Sequence, residues 1–384
     1  MIALAATAIA YLALLWSKAA LARSYVRRYP AVPPRTTFAD VTILQPILGG
    51  DPQLEDALGS NLAALPGARF VWLLDREDAP GWRVARKLLA RFPEVCIQLV
   101  ETPPPALRAN PKITKLAAVE SAIDTPYVVV LDDDTRLSRR GLEALLSGLA
   151  DHDVSTGLPL YRPGGTCAGR VLAQFVNSQS VLTYLPLLVV APAITLNGMG
   201  YALRTARLRE LGGFAPLVHR LTDDLAVARL VREGGGRIRQ SIVPLELTTT
   251  VAGWSHYFRL MHRWCVFAWI QVRSQSIGWR TAIVLVHGTS PLLLWATMAC
   301  AASAWFSGTG WIAAGVIAVV LLLREMTLRA VRAMVGAADL NDAAASVCSE
   351  LMQPLHLAHA LVSRRIHWRS RVIEVRADDD FTLL

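Results

Sequence analysis

The apolar positions fall into long uncharged stretches at the ends and short alternating runs in the middle. Residues 1 to 16 carry no charge, and Lys18, Arg23, Arg27 and Arg28 follow. From Thr281 to Leu323 no Asp, Glu, Lys or Arg occurs, and Ser307-Gly308-Thr309-Gly310 interrupts that stretch with a turn signal. A bilayer-crossing helix needs about 20 apolar residues, so the pattern predicts spans at 2–21, 282–304 and 310–323, the last open to extension past Arg324. Residues 343–362 are also mostly apolar but hold Glu350, Pro354, His356 and His359. A carboxylate is costly in mid-bilayer, so an interfacial or re-entrant helix is expected there.

The middle reads differently. Val41–Pro46 is a predicted strand, and Asp51–Leu65 a helix with Leu54, Leu58, Leu62 and Leu65 on one face. A strand at Arg69–Leu74, a helix from Gly81 to Arg91, a strand at Val95–Val100 and a helix over Lys112–Ile123 follow. Tyr127-Val128-Val129-Val130-Leu131 then reads as a buried central strand. Strands alternating with helices predict an α/β fold with a mostly parallel sheet.

That central strand runs directly into Asp132-Asp133-Asp134. The acids stand at a strand's carboxyl end, where open α/β sheets bind ligands. Adjacent carboxylates repel one another. Two readings stay open: a solvated acidic loop, or a seat for Mg²⁺ or Mn²⁺ carrying a diphosphate, since hard cations take oxygen ligands.

Composition changes the picture in three ways. With 53% apolar and 18% charged residues, the chain is too apolar for a wholly soluble protein. The net charge of +9 comes with no nucleic-acid motif, and the basic residues gather beside the apolar segments; an anionic bilayer surface explains them and nucleic acid is not expected. The five cysteines show no CxxC spacing, so neither a disulfide framework nor a zinc site is indicated. The first apolar run has its basic residues after it, which reads as an anchor and not a signal peptide. The positive-inside rule then places residue 18 onward in the cytoplasm. The expected divisions are an N-terminal span at 1–22, a cytoplasmic domain at 38–275, a membrane hairpin at 280–324, interfacial helices at 325–363 and a basic tail at 364–384.

Several signals come in one order: the strand ending at Asp75–Asp78, Asn110-Pro111-Lys112, Asp132-Asp133-Asp134, Leu221-Thr222-Asp223-Asp224, and Arg263-Trp264 just before the hairpin. From about residue 40 to 270 this resembles the membrane-bound inverting glycosyltransferases of the GT-A fold. The likeness is nearest to the ceramide glucosyltransferase family and to relatives that glycosylate bacterial membrane lipids, including hopanoids. The resemblance implies a UDP-sugar donor, a membrane lipid acceptor, Mg²⁺ or Mn²⁺, and a setting at the bacterial inner membrane. It places Asp78 at the nucleotide base and ribose, Lys112 at a donor phosphate or sugar, and Gly198 near the sugar or acceptor. Asp132, paired with Asp134, is implied as the metal site and Asp224 as the general base. The resemblance also puts Arg263 on the leaving diphosphate and Trp264 beside the acceptor or at the bilayer interface.

Plainer roles compete. Asp223-Asp224 opens a predicted helix and reads equally as an N-cap pair. Leu260 stands where the family has Arg or Gln, with Arg259 or His262 as replacements. The tail Ile366-His367-Trp368-Arg369-Ser370-Arg371 resembles the family's terminal Trp-Arg segment, and on its own chemistry is a basic, aromatic membrane-surface segment. A processive polysaccharide synthase would need more spans, and a transporter subunit would carry internal repeats, which are not found.

Overall fold

The structure is a computed structural model and describes residues 1–29, 37–104, 106–368 and 371–384. Of the basic tail motif, residues 369 and 370 therefore lie outside the described residues. The chain opens with α1 (Ile2–Arg28), then alternates β1 (Val41–Ile47), α2 (Leu54–Ala64), β2 (Arg69–Asp75), α3 (Ala79–Arg91), β3 (Ile97–Thr102), α4 (Pro111–Val119) and β4 (Tyr127–Leu131). Next come α5 (Arg139–Gly148), β5 (Val154–Arg162), α6 (Cys167–Tyr184), β6 (Gly200–Arg204), α7 (Thr205–Glu210), α8 (Asp223–Glu233) and β7 (Ile238–Thr248). The remainder is α9 (Trp254–Arg273), α10 (Ile277–Ile283), α11 (Thr289–Phe306), α12 (Gly310–Ala333), α13 (Ala343–Val362), β8 (Arg365–Trp368), β9 (Arg371–Val375) and β10 (Phe381–Leu383).

Two compact units result. The sheet unit takes residues 37–162, 191–250 and 371–384, and the helical unit takes 1–29, 163–190 and 251–368. This division differs from the single domain expected over 38–275. The hydrophobic pattern shows how residues alternate, not which distant segment they pack against.

The sheet has seven strands in the order β3-β2-β1-β4-β6-β5-β7. β3, β2, β1 and β4 run parallel, while β6 lies antiparallel between β4 and β5. Val128 to Leu131 are fully buried, as a strand covered on both faces requires. Ile43 sits in register between Phe70 and Val129, so apolar side chains line up across three strands. Trp72 is buried with them and donates its indole N–H to Gln45 Oε1 at 2.9 Å, the partner a buried indole needs. Chain order reverses where β4 joins the other side of β1, so the carboxyl ends of these two strands flank a topological switch point.

The helical unit contains three helices long and apolar enough to cross a membrane: Ile2–Arg28, Ile277–Phe306 and Gly310–Ala333. The second is continuous through a wider π turn at Val284–Gly288. The third runs ten residues beyond Leu323, although Arg324 and Arg332 interrupt its apolar character. Both arginines are fully buried and partnered. Arg324 meets Glu350 of α13 at 2.7 Å, and Arg332 meets Glu325 and Asn341. Glu350 also accepts from Tyr11 of α1 and Ser290 of α11. A paired and hydrogen-bonded carboxylate escapes most of the cost that argued against burying residue 350. α6 ends at Tyr184 and Pro186 opens a 3₁₀ turn, where the proline ring cannot continue α-helical bonding.

The tail also departs from expectation. β9 and β10 pair antiparallel as a hairpin within the sheet unit, and Leu383 donates its N–H to Leu107 O. Residues 371–384 are therefore part of the α/β unit.

Candidate active site

The three acids after β4 have different surroundings. Asp133 is buried, and its Oδ2 accepts the N–H of Leu48 at 2.7 Å, tying the loop after β1 to the end of β4. Asp132 donates its own N–H to Met199 O, and its Oδ1 lies 2.7 Å from Lys112 Nζ. Asp134 accepts from the Thr135 hydroxyl at 3.3 Å, a long contact.

Lys112 owes its aim to Asn110. That side chain caps α4, accepting from the N–H groups of Lys112 and Ile113, with Pro111 at the first helical position. Its amide also donates to the carbonyls of Arg220 and Leu221. One asparagine thus fixes both the start of α4 and the loop before α8. Lys112 Nζ lies 2.7 Å from Asp132 Oδ1, 2.7 Å from Asp223 Oδ2 and 2.8 Å from Gly198 O. An ammonium has three donors, and here three protein oxygens surround it. Burial alone would lower the lysine's pKa, but Asp132 and Asp223 together hold it well above its ordinary value.

Asp224 stands one residue further into α8. The helix N-cap is Thr222, so Asp223 is not the cap but the ion-pair partner of Lys112. Burial first, and then the charge of Asp223, push the Asp224 carboxyl up to about 7. A carboxyl near neutrality is matched to proton abstraction at working pH. Gly198 lies against both acids: a Cβ on it would make ordinary contacts, 3.4 Å from Asp224 Cβ and 3.6 Å from Asp223 Oδ2, so its place here does not by itself demand glycine. Tyr201 of β6 is fully buried close to these acids, and its hydroxyl has no hydrogen-bond partner among the described residues.

Asp78 is also occupied. It caps α3, with Oδ1 accepting from Gly81 and Oδ2 from Gly49 at 2.7 Å. Each oxygen accepts one backbone N–H, so Asp78 shapes the loop beside β2 and keeps further acceptor capacity. A Cβ on Gly49 would fall against Gly81 N and 2.5 Å from Asp78 Oδ1. We therefore expect Gly49→Ala to cost about 1–3 kcal/mol, as overpacking usually does. Thermal unfolding in detergent should show a lowered midpoint; an unchanged midpoint would mean the loop yields freely.

Residues 1–381 match the family model described as Glycosyl transferase family 21. The chain belongs to glycosyl transferase family 21. This is the ceramide glucosyltransferase-like family that the motif order resembles. No curated protein matches the chain. Among solved structures, a mannosyltransferase from Pyrobaculum calidifontis in complex with GDP-mannose and Mn²⁺ is 17% identical, with 88% of this chain and 97% of that one covered and a TM-score of 0.54. A glucosyl-3-phosphoglycerate synthase from Mycobacterium tuberculosis, with Mn²⁺, UDP and phosphoglyceric acid, is 17% identical over 54% of this chain and 69% of that one, with a TM-score of 0.33. The first likeness shows the GT-A fold for this family 21 chain.

The remaining expected site residues of the family 21 enzyme lie in the helical unit, on α9. The Arg263 guanidinium stands 5.9 Å from the Trp368 ring centroid, and Trp264 stacks on Phe175 at 6.2 Å. The two suggested replacements for the missing residue at Leu260 have different surroundings. Arg259 is exposed and bonds Ser255, while His262 is buried against His359 and the carbonyl of Arg365. The sequence reading passed over Asp378, whose carboxylate meets Thr222 at the start of α8. The one signal was a second acid triplet, Asp378-Asp379-Asp380, inside an otherwise basic tail.

Proposed function

We propose that this family 21 enzyme transfers a hexose from a UDP-sugar to a hydroxyl of a membrane lipid at the cytoplasmic face, with inversion. The observation that carries the reading is the Asp224 carboxyl, held near neutrality at the switch-point edge of the sheet beside the bridge of Lys112 to Asp132 and Asp223. A single displacement needs one base to take the acceptor's proton as its oxygen attacks the anomeric carbon. Asp224 fills that role, and Arg263 binds the leaving diphosphate through its guanidinium fork. The GDP-mannose and Mn²⁺ bound by the Pyrobaculum calidifontis mannosyltransferase support a nucleotide-sugar donor, without choosing its base. The three apolar helices support an acceptor that lives in a bilayer.

Among the described residues no cluster of three or more His, Cys, Asp or Glu stands ready for a metal. Asp132 and Asp134 fit the smaller share that Mg²⁺ or Mn²⁺ ordinarily takes from protein when substrate phosphates supply the rest. Bound there, the ion would act as a Lewis acid toward the diphosphate. EDTA should abolish turnover and Mn²⁺ or Mg²⁺ restore it; full turnover in EDTA would take the metal out of this reading.

The deciding experiment is a product screen. Full-length protein in nanodiscs, given Mn²⁺ or Mg²⁺, would meet panels of UDP-sugars and of ceramide, hopanoid and diacylglycerol acceptors, read by mass spectrometry. A glycolipid names both substrates. Polymer without glycolipid would replace this reading by a polysaccharide synthase, and no UDP-sugar binding would end it.

A further inference from the structure

The turn between β9 and β10 carries Asp378, which is buried although its neighbours Asp379 and Asp380 are not. Asp378 Oδ1 accepts the backbone N–H of Thr222 at 2.9 Å and also its hydroxyl, and the Asp378 carbonyl accepts the N–H of Leu221 at 2.7 Å. Arg220 and Arg229 face its Oδ2 at 4.0 Å. Asp379 pairs with Arg220 and Asp380 with Arg108, fastening the turn on either side. Thr222 is the N-cap of α8, yet its side chain makes no capping bond. A threonine there normally turns its oxygen to the helix's own first N–H groups; this one gives its hydroxyl to Asp378. The interaction thus helps fix where the helix begins, together with Asn110, which holds the carbonyls of Arg220 and Leu221.

We propose that Asp378 is a positioning residue for the glycosyl transfer: by gripping Thr222 it sets where the α8 start carries the Asp224 carboxylate relative to the acceptor hydroxyl. The inference rests on the reading of Asp224 as base. Displacing a reacting group by about 1 Å can cost on the order of a hundredfold in rate, so a tether one residue from the acid pair has leverage on turnover. Asp378 also acts through charge. Asp224 is faced by Asp223 on its own helix, Lys112 from α4, Tyr201 from β6 and Asp378 from the hairpin, and the negative charge of Asp378 raises its pKa.

The test compares Asp378→Ala, Asp378→Asn, Asp380→Asn and Asp224→Asn in full-length protein in nanodiscs. Asparagine keeps an oxygen for Thr222 while removing the charge; alanine removes both. Asp378→Ala should lower kcat at least about tenfold while the donor KM stays within about twofold, the pattern of a group needed for the transition state and not for binding. Asp378→Asn should recover most of kcat, with the acidic limb of its kcat/KM profile moved to lower pH, and Asp380→Asn should match wild type. Wild-type kcat in the alanine variant overturns the proposal. So does parallel loss of kcat and donor binding in both Asp378 variants, which would mark an ordinary structural contact. Should the alanine variant fail to fold, Thr222→Val, which removes the hydroxyl that Asp378 grips, decides instead, and wild-type kcat in that variant overturns the proposal. An active Asp224→Asn would instead sink the base assignment, whereas an inactive Asp224→Asn beside a fully active Asp378→Ala sinks only the role of Asp378.

Discussion

Asp224→Asn is expected to bind the UDP-sugar with wild-type affinity and to lose about a thousandfold in kcat, within the range that general bases contribute. The change keeps size and one hydrogen-bond acceptor for Leu225 but removes the lone pair able to take a proton. The same assignment fixes a pH dependence. With its carboxyl pushed up to about 7 by burial and by Asp223, Asp224 is mostly protonated below that pH and idle as a base. The kcat/KM of the wild type should therefore rise with pH through about 7 and level off above it. Isothermal titration of donor binding beside turnover separates the outcomes. A variant that turns over at more than a few per cent of wild type would move the base elsewhere, Asp223 being the nearest acid but one already committed to Lys112.

Lys112→Met should damage stability and turnover together. The ammonium stands between Asp132 and Asp223, with the Gly198 carbonyl as its third contact. Methionine preserves the side chain's bulk but leaves two carboxylates facing each other in a poorly hydrated place. Removing one partner of a buried ion pair commonly costs about 3–5 kcal/mol; partial exposure of Asp132 argues for the lower end. The alternative, implied by the family resemblance, is that Lys112 chiefly contacts a donor phosphate. A raised donor KM with unchanged kcat and unchanged thermal midpoint would favour that alternative. Loss of midpoint and of kcat, partly recovered by adding Asp223→Asn, would favour the bridging role.

The chemistry of the central strand was legible because its cause is local. Val128 to Leu131 must be buried, and Asp132 to Asp134 must follow at the carboxyl edge. The switch point itself depends on strand order, which the alternation of strands and helices does not give. Other features depend on partners far away in the chain. Asn110 reads as a helix cap, but nothing near it announces its bonds to Arg220 and Leu221. Asp78 reads as an acid at a strand end, and only the approach of Gly49 and Gly81 shows that both its oxygens are in use. The sequence leaves the end of the third apolar helix open past Arg324 for the same reason. An arginine ends an apolar run on paper, whereas in the folded helical unit a carboxylate from α13 meets it.

That last contact bears on how the chain is made. Arg324 leaves the ribosome before Glu350, 26 residues later in the sequence, so during synthesis at about 5–20 residues per second the helix carrying it exists for a second or more without its main counter-charge. Glu325, next door and paired with both Arg324 and Arg332 in the finished protein, is the one acid of α12 present from the outset. An α12 that crosses a bilayer would thus be held only provisionally until α13 arrives. A Glu350→Ala chain should betray this in pulse-chase labelling as rapid loss of newly made protein, while Glu325→Ala should fail earlier, before the chain is complete.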